Sequence, residues 1–451
     1  MASNKQAYLA AANNGLFKTD SEFVATPPQP VTLEALQARV EGQTLFPELL
    51  SRIDEEKEEL HLTFTADGEL YLYRVSLFSC EHDPSALEYV PGARSVAPEV
   101  LSEMADYRQR ISVTTRFSND VFLSWQQAIK IVGLLVPDLL VAQDASAGGR
   151  LFSRERLLFE ARFPARPRAD TLYAIHAVHD DENDHYWLHT HGLRRLGLPE
   201  CEVIIHQPVE SLGSIGYMIE AFVNICIDDR GMYCNEPLML ARTHEGEQYI
   251  VAIPWEQGLS VIEHGGNLNL LPEIAERVGD ISDLPSGRFS GDLADREDEH
   301  NGPSCLLFRL ADERGGIGSV IDGGLGGDQV MFMKSIALSD SDAQKAQKAQ
   351  MRWPYFQHIF ETQHNEISAP LVKIGVPYGD EDKREHMWFM LQNIADEHLT
   401  GVLTNQPYYV HHMQEGEQYT LPFTLLSDWR IYHPQGVFTP DNIFELISHS
   451  S

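Results

Sequence analysis

Residues 60–78 read LHLTFTADGELYLYRVSLF, with Leu60, Leu62 and Phe64 alternating on one side of Asp67-Gly68 and Leu70 and Leu72 on the other. A period of two is the mark of a strand with one covered face, and Asp-Gly between two such runs favours the tight turn of an antiparallel hairpin. Working outward, Thr32 is placed to cap a short helix that carries Leu33, Leu36 and Val40, with Glu34 in its first turn where the helix dipole favours an anion. Ile111–Phe117 (ISVTTRF) reads as another strand. In SWQQAIKIVGLLVP, residues 124–137, Trp125, Ala128, Ile129, Val132 and Val136 share one helical face. Strands paired antiparallel and covered by helices predict an α+β fold.

The same theme recurs downstream. Thr171–Val178, His185–His191 and Tyr249–Ile253 read as strands and Val209–Cys226 as an apolar helix. Gly279–Ser304 is acidic and rich in Gly, Ser and Pro, which predicts a linker or loop. Gly315–Gly327 is Gly-rich, but Ile321 replaces the third glycine of a dinucleotide loop and no Gly-Lys-Ser/Thr follows, so it is read as a turn. Ser339–Arg352 predicts a capped helix, Pro354 the first turn of another, and Leu371–Trp429 a run of strands. The domains expected are 1–150, 151–278 with the His-rich strand, an acidic and Gly-rich linker region 279–335, and 336–451.

One segment is repeated. Gly231–Tyr249 (GMYCNEPLMLARTHEGEQY) lies over Gly401–Tyr419 (GVLTNQPYYVHHMQEGEQY) without a gap, and seven of the fifteen positions from Asn235 are identical. The reading is an internal duplication of a strand-turn-strand unit, in which Asn-x-Pro ends a strand and Glu-Gly turns the chain. Convergence on a common hairpin is the alternative.

Composition narrows the function classes. The net charge of −33 over 451 residues excludes one small module and disfavours binding to phosphate backbones, which needs clustered Lys and Arg. No nucleic-acid partner is therefore expected. The longest apolar stretch, Ile131–Ala142, is too short for a bilayer and contains Pro137 and Asp138, and the N-terminus has no secretory apolar core. A cytoplasmic protein with no membrane partner is expected. Five cysteines without a C-x-x-C pair argue against a disulfide framework.

Val372-Lys373-Ile374, Glu385-His386-Met387-Trp388, Gly401–Asn405 with Pro407, Glu415-Gly416-Glu417 and Ser427-Asp428-Trp429 occur in a fixed order, and the segment from about Ile336 to Ile431 resembles the bacterial domain of unknown function 2314. Ser124–Glu202, with Ile175-His176-Ala177-Val178 and Trp187-Leu188-His189-Thr190-His191-Gly192-Leu193, resembles domain of unknown function 4026. The resemblance implies a bacterial cytosolic protein and supports a boundary near Ser339. It implies no activity and no catalytic residues.

Two constellations stand out. His176, His179, His185, His189 and His191 crowd around the acidic run Asp180–Asp184, and on a strand His189 and His191 point to one face, as two ligands of a divalent metal would. His176, His189 and His191 are the candidate metal ligands, weighed against a purely structural polar cluster. In the C-terminal domain Trp388 and Trp429 are candidate walls of a groove with His386 and Asp428 at its rim. Ser427 lacks a G-x-S-x-G elbow, so no nucleophilic triad is read there. The leading expectation is a non-enzymatic protein-binding module without a cofactor, immunity- or antitoxin-like, whose charge would steer a basic protein partner. The alternative is a metal-dependent hydrolase using His189 and His191.

Overall fold

The Asp67-Gly68 hairpin forms as its chemistry dictates. Asp67 (φ 51°) and Gly68 (φ 81°) take the left-handed conformation that a two-residue turn needs, and Ala66 faces Glu69 across it. That register pairs Phe64 with Tyr71 and Leu62 with Tyr73. Tyr71, Tyr73 and Val75 therefore share the buried face with Leu60, Leu62 and Phe64, and Leu70 and Leu72 are left exposed. The alternation of the second strand is real but in the opposite phase to the leucines.

The computed structural model describes residues 18–46, 48–80, 87, 90–106, 109–163, 166–180, 185–205, 212–232, 238–243, 246–255, 258, 303–310, 331–332, 342–363, 366–379 and 383–447. It is an α+β chain in two units: Met1–Glu81 with Tyr107–Arg150 and Arg166–Ser339, and His82–Asp106 with Leu151–Ala165 and Asp340–Ser451. The acidic stretch 279–302 and the Gly-rich stretch 315–327 lie outside the described residues. Among the described residues no helix is long and apolar enough to cross a membrane.

The first unit holds two sheets. In the first, β1 (Ser21–Thr26), β2 (Leu50–Asp54), β3 (Glu59–Ala66), β4 (Glu69–Ser79), β5 (Gln109–Thr115) and β6 (Val141–Asp144) neighbour one another in the order β2-β3-β4-β5-β1-β6, all antiparallel. Helix Leu33–Glu41 is capped by Thr32, whose Oγ1 accepts from Ala35 N at 3.3 Å. Helix Val121–Leu135 starts three residues before the predicted one, because Asp120 accepts from Leu123 N and caps it. Trp125, Ala128, Ile129 and Val132 are buried as their spacing requires. A short strand, β7 (Arg150–Ser153), follows Gly148-Gly149.

The second sheet contains β8 (Ala174–Asp180), β9 (His185–His191), β10 (Glu200–Ile205), β11 (Leu238–Thr243), β12 (Gly246–Pro254), β13 (Ser304–Leu310) and β14 (Met331–Phe332), ordered β14-β11-β12-β13-β10-β9-β8. Only β10 and β13 run parallel; the other pairs are antiparallel. Helix Leu212–Asp228 buries Ile215, Ile219, Phe222, Val223 and Cys226.

A buried ion pair joins these two parts of the unit. Arg195 donates from Nη1 to Asp144 Oδ1 at 2.7 Å and from Nη2 to Oδ2 at 2.9 Å, and neither side chain reaches solvent. Arg195 also donates to the Leu172 carbonyl, and Trp125 Nε1 donates to Asp144 Oδ2 at 3.2 Å. A charge taken out of water must be neutralised and hydrogen-bonded, and the bidentate fork does both.

The second unit contains β15 (Ala369–Pro377), β16 (Arg384–Ala395), β17 (His398–Leu403), β18 (Gln418–Pro422), β19 (Leu426–His433) and β20 (Gly436–Phe438), ordered β18-β17-β16-β15-β19-β20. Helices Asp342–Met351, Trp353–Thr362 and Ile443–Ile447 share a core with one face of this sheet, through Ala349, Trp353, Phe356, Phe444, Val372, Met387 and Trp429. Arg352 forms an ion pair with Glu160 and its guanidinium lies 4.3 Å from the Phe159 ring centre, so helix Arg154–Arg162 belongs to the same unit.

The repeated sequence does not fold as a repeat. Leu238–Thr243 is a strand paired antiparallel with β12, with Met239 opposite Tyr249. The matching residues 408–413 are not a strand, and Tyr419 instead pairs with Gly401. Among the described residues the two segments therefore differ in strand pairing.

Replacing Arg195 with Leu strands the Asp144 carboxylate and is expected to cost about 3–5 kcal/mol, read as a lowered urea midpoint. Arg74→Ala breaks only the exposed pair with Asp20, at 2.9 Å, and should shift the midpoint by less than about 1 kcal/mol. Equal shifts for the two variants would remove the buried pair from its central place.

Candidate functional site

Strand β9, His-Tyr-Trp-Leu-His-Thr-His, alternates, so Trp187, His189 and His191 share one face and Tyr186, Leu188 and Thr190 the other. His176 on β8 lies directly opposite His189. The three imidazoles of His176, His189 and His191 meet: their ring centres are 4.6–5.7 Å apart, and one nitrogen from each lies within 4.8 Å of the others. His189 is buried at 3 % exposure and the other two are half-buried. His179 goes elsewhere, stacked on Tyr186 at 4.3 Å. The acidic residues 181–184 lie outside the described residues.

The walls of this cluster are specific. The Trp187 indole stacks on His189 with ring centres 3.8 Å apart, and its Nε1 donates to Glu202 Oε2 at 2.9 Å. Glu202 is the residue opposite His189 on β10. On the other side, Gly148 (φ 63°) presses its backbone against His176, where an added Cβ would stand 2.3 Å from Nε2. Gly192 (φ 113°) follows His191 at once, with room for no side chain against the Leu172 carbonyl. Glu200 fastens that turn: its carboxylate accepts from Thr190 Oγ1 at 2.7 Å, Gly192 N at 2.9 Å and Arg194 N at 3.2 Å. Burial pushes the Glu200 carboxyl up to about 7 even though these hydrogen bonds favour its charged form.

In the second unit, the candidates separate. Trp388 is paired with Lys373 across β15 and β16, while Trp429 is paired with Val372, one residue away. Neighbouring residues of a strand point to opposite faces, so the two tryptophans cannot wall one groove. Trp429 is fully buried against Phe356 with its Nε1 donating to the Ala349 carbonyl at 3.0 Å; it is core and leaves the site.

His386, Trp388 and Asp428 remain on the outer face. There the indole of Trp388 has Lys373 Nζ 5.6 Å and the Arg430 guanidinium 5.0 Å from its ring centre. His386 Nδ1 is 2.8 Å from Ser427 Oγ, which donates to the Lys373 carbonyl, and Asp428 Oδ1 accepts from Trp429 N. Ser427 Oγ thus sits between the Lys373 carbonyl and the His386 imidazole, whose donor or acceptor role depends on its tautomer. Burial raises the Asp428 carboxyl, against the lowering influence of Lys373 and Arg430. The cations around Trp388 are absent from the sequence-derived site; the signal for them was Lys373 and Arg430 falling on alternate positions of strands beside Trp388. Gly148 was missed as well, since nothing near it in sequence names His176.

Residues 21–164 match the N-terminal part and residues 175–308 the C-terminal part of the family described as Protein of unknown function (DUF4026), and residues 340–449 match DUF2314, described as an uncharacterized protein conserved in bacteria. No curated protein and no solved structure matches the chain.

Two outcomes follow from this geometry. Trp429→Ala should destabilise the second unit by about 3–5 kcal/mol, and Trp388→Ala by less than half of that, as measured by chemical unfolding. For Glu200, the folded state holds its proton more tightly than the unfolded one between the ordinary 4.5 and about 7, so its contribution to stability is present below that window and lost as the pH rises through it. Glu200→Gln removes this decline, and the stability of the variant relative to the wild type should rise by on the order of 2 kcal/mol from pH 4.5 to 7.5. A difference that stays flat over that range would refute the assignment.

Proposed function

For a chain that carries both parts of DUF4026 followed by DUF2314, we propose a non-enzymatic protein-binding function, in which the outer face of the C-terminal sheet takes an acidic segment of a partner protein. The observation that carries it is the Trp388 indole with both the Lys373 ammonium and the Arg430 guanidinium close to its ring. Trp, Tyr and Arg are the side chains that most often dominate binding energy at interfaces, because they bring large rigid area together with a directional polar group. Arg384 and His386 stand beside Gly375 next to this indole, and Asp428 is the acid whose charge burial disfavours.

The sign of this face is the reverse of the net charge of −33. At physiological salt, charges more than about 8 Å from a contact are largely screened, so a docked segment senses the local cations rather than the whole chain. Exposed Tyr408 and Tyr409, with Tyr409 stacked on Tyr378 at 4.6 Å, add aromatic surface in the same unit. Glu385 holds their loop by accepting from the backbone N–H groups of Tyr408, Tyr409 and Val410.

Labelled poly-L-glutamate, titrated onto the full chain by fluorescence anisotropy, tests the reading. Binding should weaken as salt rises, and Lys373→Glu with Arg430→Glu should weaken it about tenfold or more. Arg52→Glu, at an exposed position in the other unit, should leave it unchanged. Equal affinity in the wild type and the double variant overturns the proposal, as does tighter binding of a single-stranded oligonucleotide than of poly-L-glutamate.

A further inference from the structure

We propose that His176, His189 and His191 form a binding site for one divalent transition metal of the zinc class, with its remaining coordination position open to water. The site lies wholly in the first unit and is independent of the protein-binding reading. Three imidazoles reach one point from two adjacent strands because His189 and His191 are two residues apart on β9 and His176 is the cross-strand partner of His189. A single nitrogen from each already lies within 4.8 Å of the others.

The fit to an ion follows from bond lengths. Zinc–nitrogen bonds of about 2.0–2.1 Å at tetrahedral angles set ligand nitrogens roughly 3.4 Å apart. Closing the present spread takes imidazole rotations that move a ring nitrogen by about 1 Å, within what side-chain torsions on a fixed backbone supply. Coordination therefore needs no change in the β8–β9 register.

The surroundings restrict the rings to the metal-facing arrangement. Gly148, in the left-handed region, lets backbone pack where a Cβ would collide with His176 Nε2 at 2.3 Å. Gly149 (φ 70°) continues that loop, and Gly192 (φ 113°) turns the chain immediately after His191. Trp187 covers one flat side of His189. These contacts narrow the range of the imidazoles before any ion binds while leaving the small rotations coordination needs, which lowers the entropic cost of binding.

Donor type sets the metal class. Neutral imidazole suits Zn, Cu, Ni, Co and Fe(II), whereas Mg and Ca require oxygen ligands. The half-buried His176 and His191 leave a path from solvent, and the buried His189 forms the floor. Three protein ligands with one open position is the pattern that leaves a water on the metal. A packed cluster of aromatic rings, the competing account, uses the same contacts and takes up no metal.

The test uses the full chain stripped with a chelator and titrated with Zn²⁺ by calorimetry and with Co²⁺ by visible absorption. One equivalent of each is expected, with the intense d–d bands of tetrahedral Co²⁺, and Mg²⁺ should not compete. His176→Asn and His191→Asn should each weaken Zn²⁺ binding at least about 100-fold, while His398→Asn, at the exposed start of β17 in the other unit, should match the wild type. If either substitution prevents folding, Co²⁺-induced paramagnetic shifts of the histidine ring protons in the wild type identify the ligands directly. Less than stoichiometric uptake by the folded wild type, or variants that bind as it does, would overturn the proposal.

Discussion

The buried pair of Asp144 and Arg195 is the constraint on which the first unit depends. Both side chains are withheld from water, and the bidentate fork, the Trp125 indole and the Leu172 carbonyl together use their hydrogen-bonding capacity. Asp144 ends β6 in the first sheet, and Arg195 lies in the short turn after β9 in the second. Because an uncompensated charge at either end would be costly, the two sheets are held to one alignment. The same pair brackets the histidine cluster. Four residues after Asp144 comes Gly148, which meets His176; four residues before Arg195 comes His191. The position of the imidazoles is thereby tied to a buried, bidentate ion pair.

The second unit is governed by a simpler rule, the alternation of a sheet with helices on one face only. Val372, Ile374, Met387, Phe389 and Trp429 turn toward the helices, which obliges Lys373, Trp388 and Arg430 to turn away. A basic and aromatic surface is thus a by-product of where the core lies. Net charge is silent on this, since acids distributed over loops can outnumber bases while a few strand positions concentrate the opposite sign.

Much of this was readable in the chain. The Asp67-Gly68 hairpin, the Thr32 cap, the buried face of helix Val121–Leu135 and the strand His185–His191 rest on local chemistry, and they stand where local chemistry puts them. Convergence of His189 with His191 is also local, through the period of two. Other features needed register. Leu70 and Leu72 face outward because a two-residue turn makes Tyr71 the partner of Phe64. Sequence identity over the repeated segment is not matched by identical pairing among the described residues, since Tyr249 stands opposite Met239 and Tyr419 opposite Gly401.

By itself, then, the sequence determined the elements, the α+β class, the family resemblance and the candidate set His176, His189 and His191, since each of these depends on residues close together in the chain. Tertiary structure alone decided that His176 completes the cluster, that Gly148 confines it, that Trp388 and Trp429 lie on opposite faces, and that Asp144 finds Arg195 fifty-one residues away. The physical reason is common to all four. Side-chain direction along one strand follows from the backbone, but which strand lies beside it, and in which register, follows from burying the whole apolar surface at once.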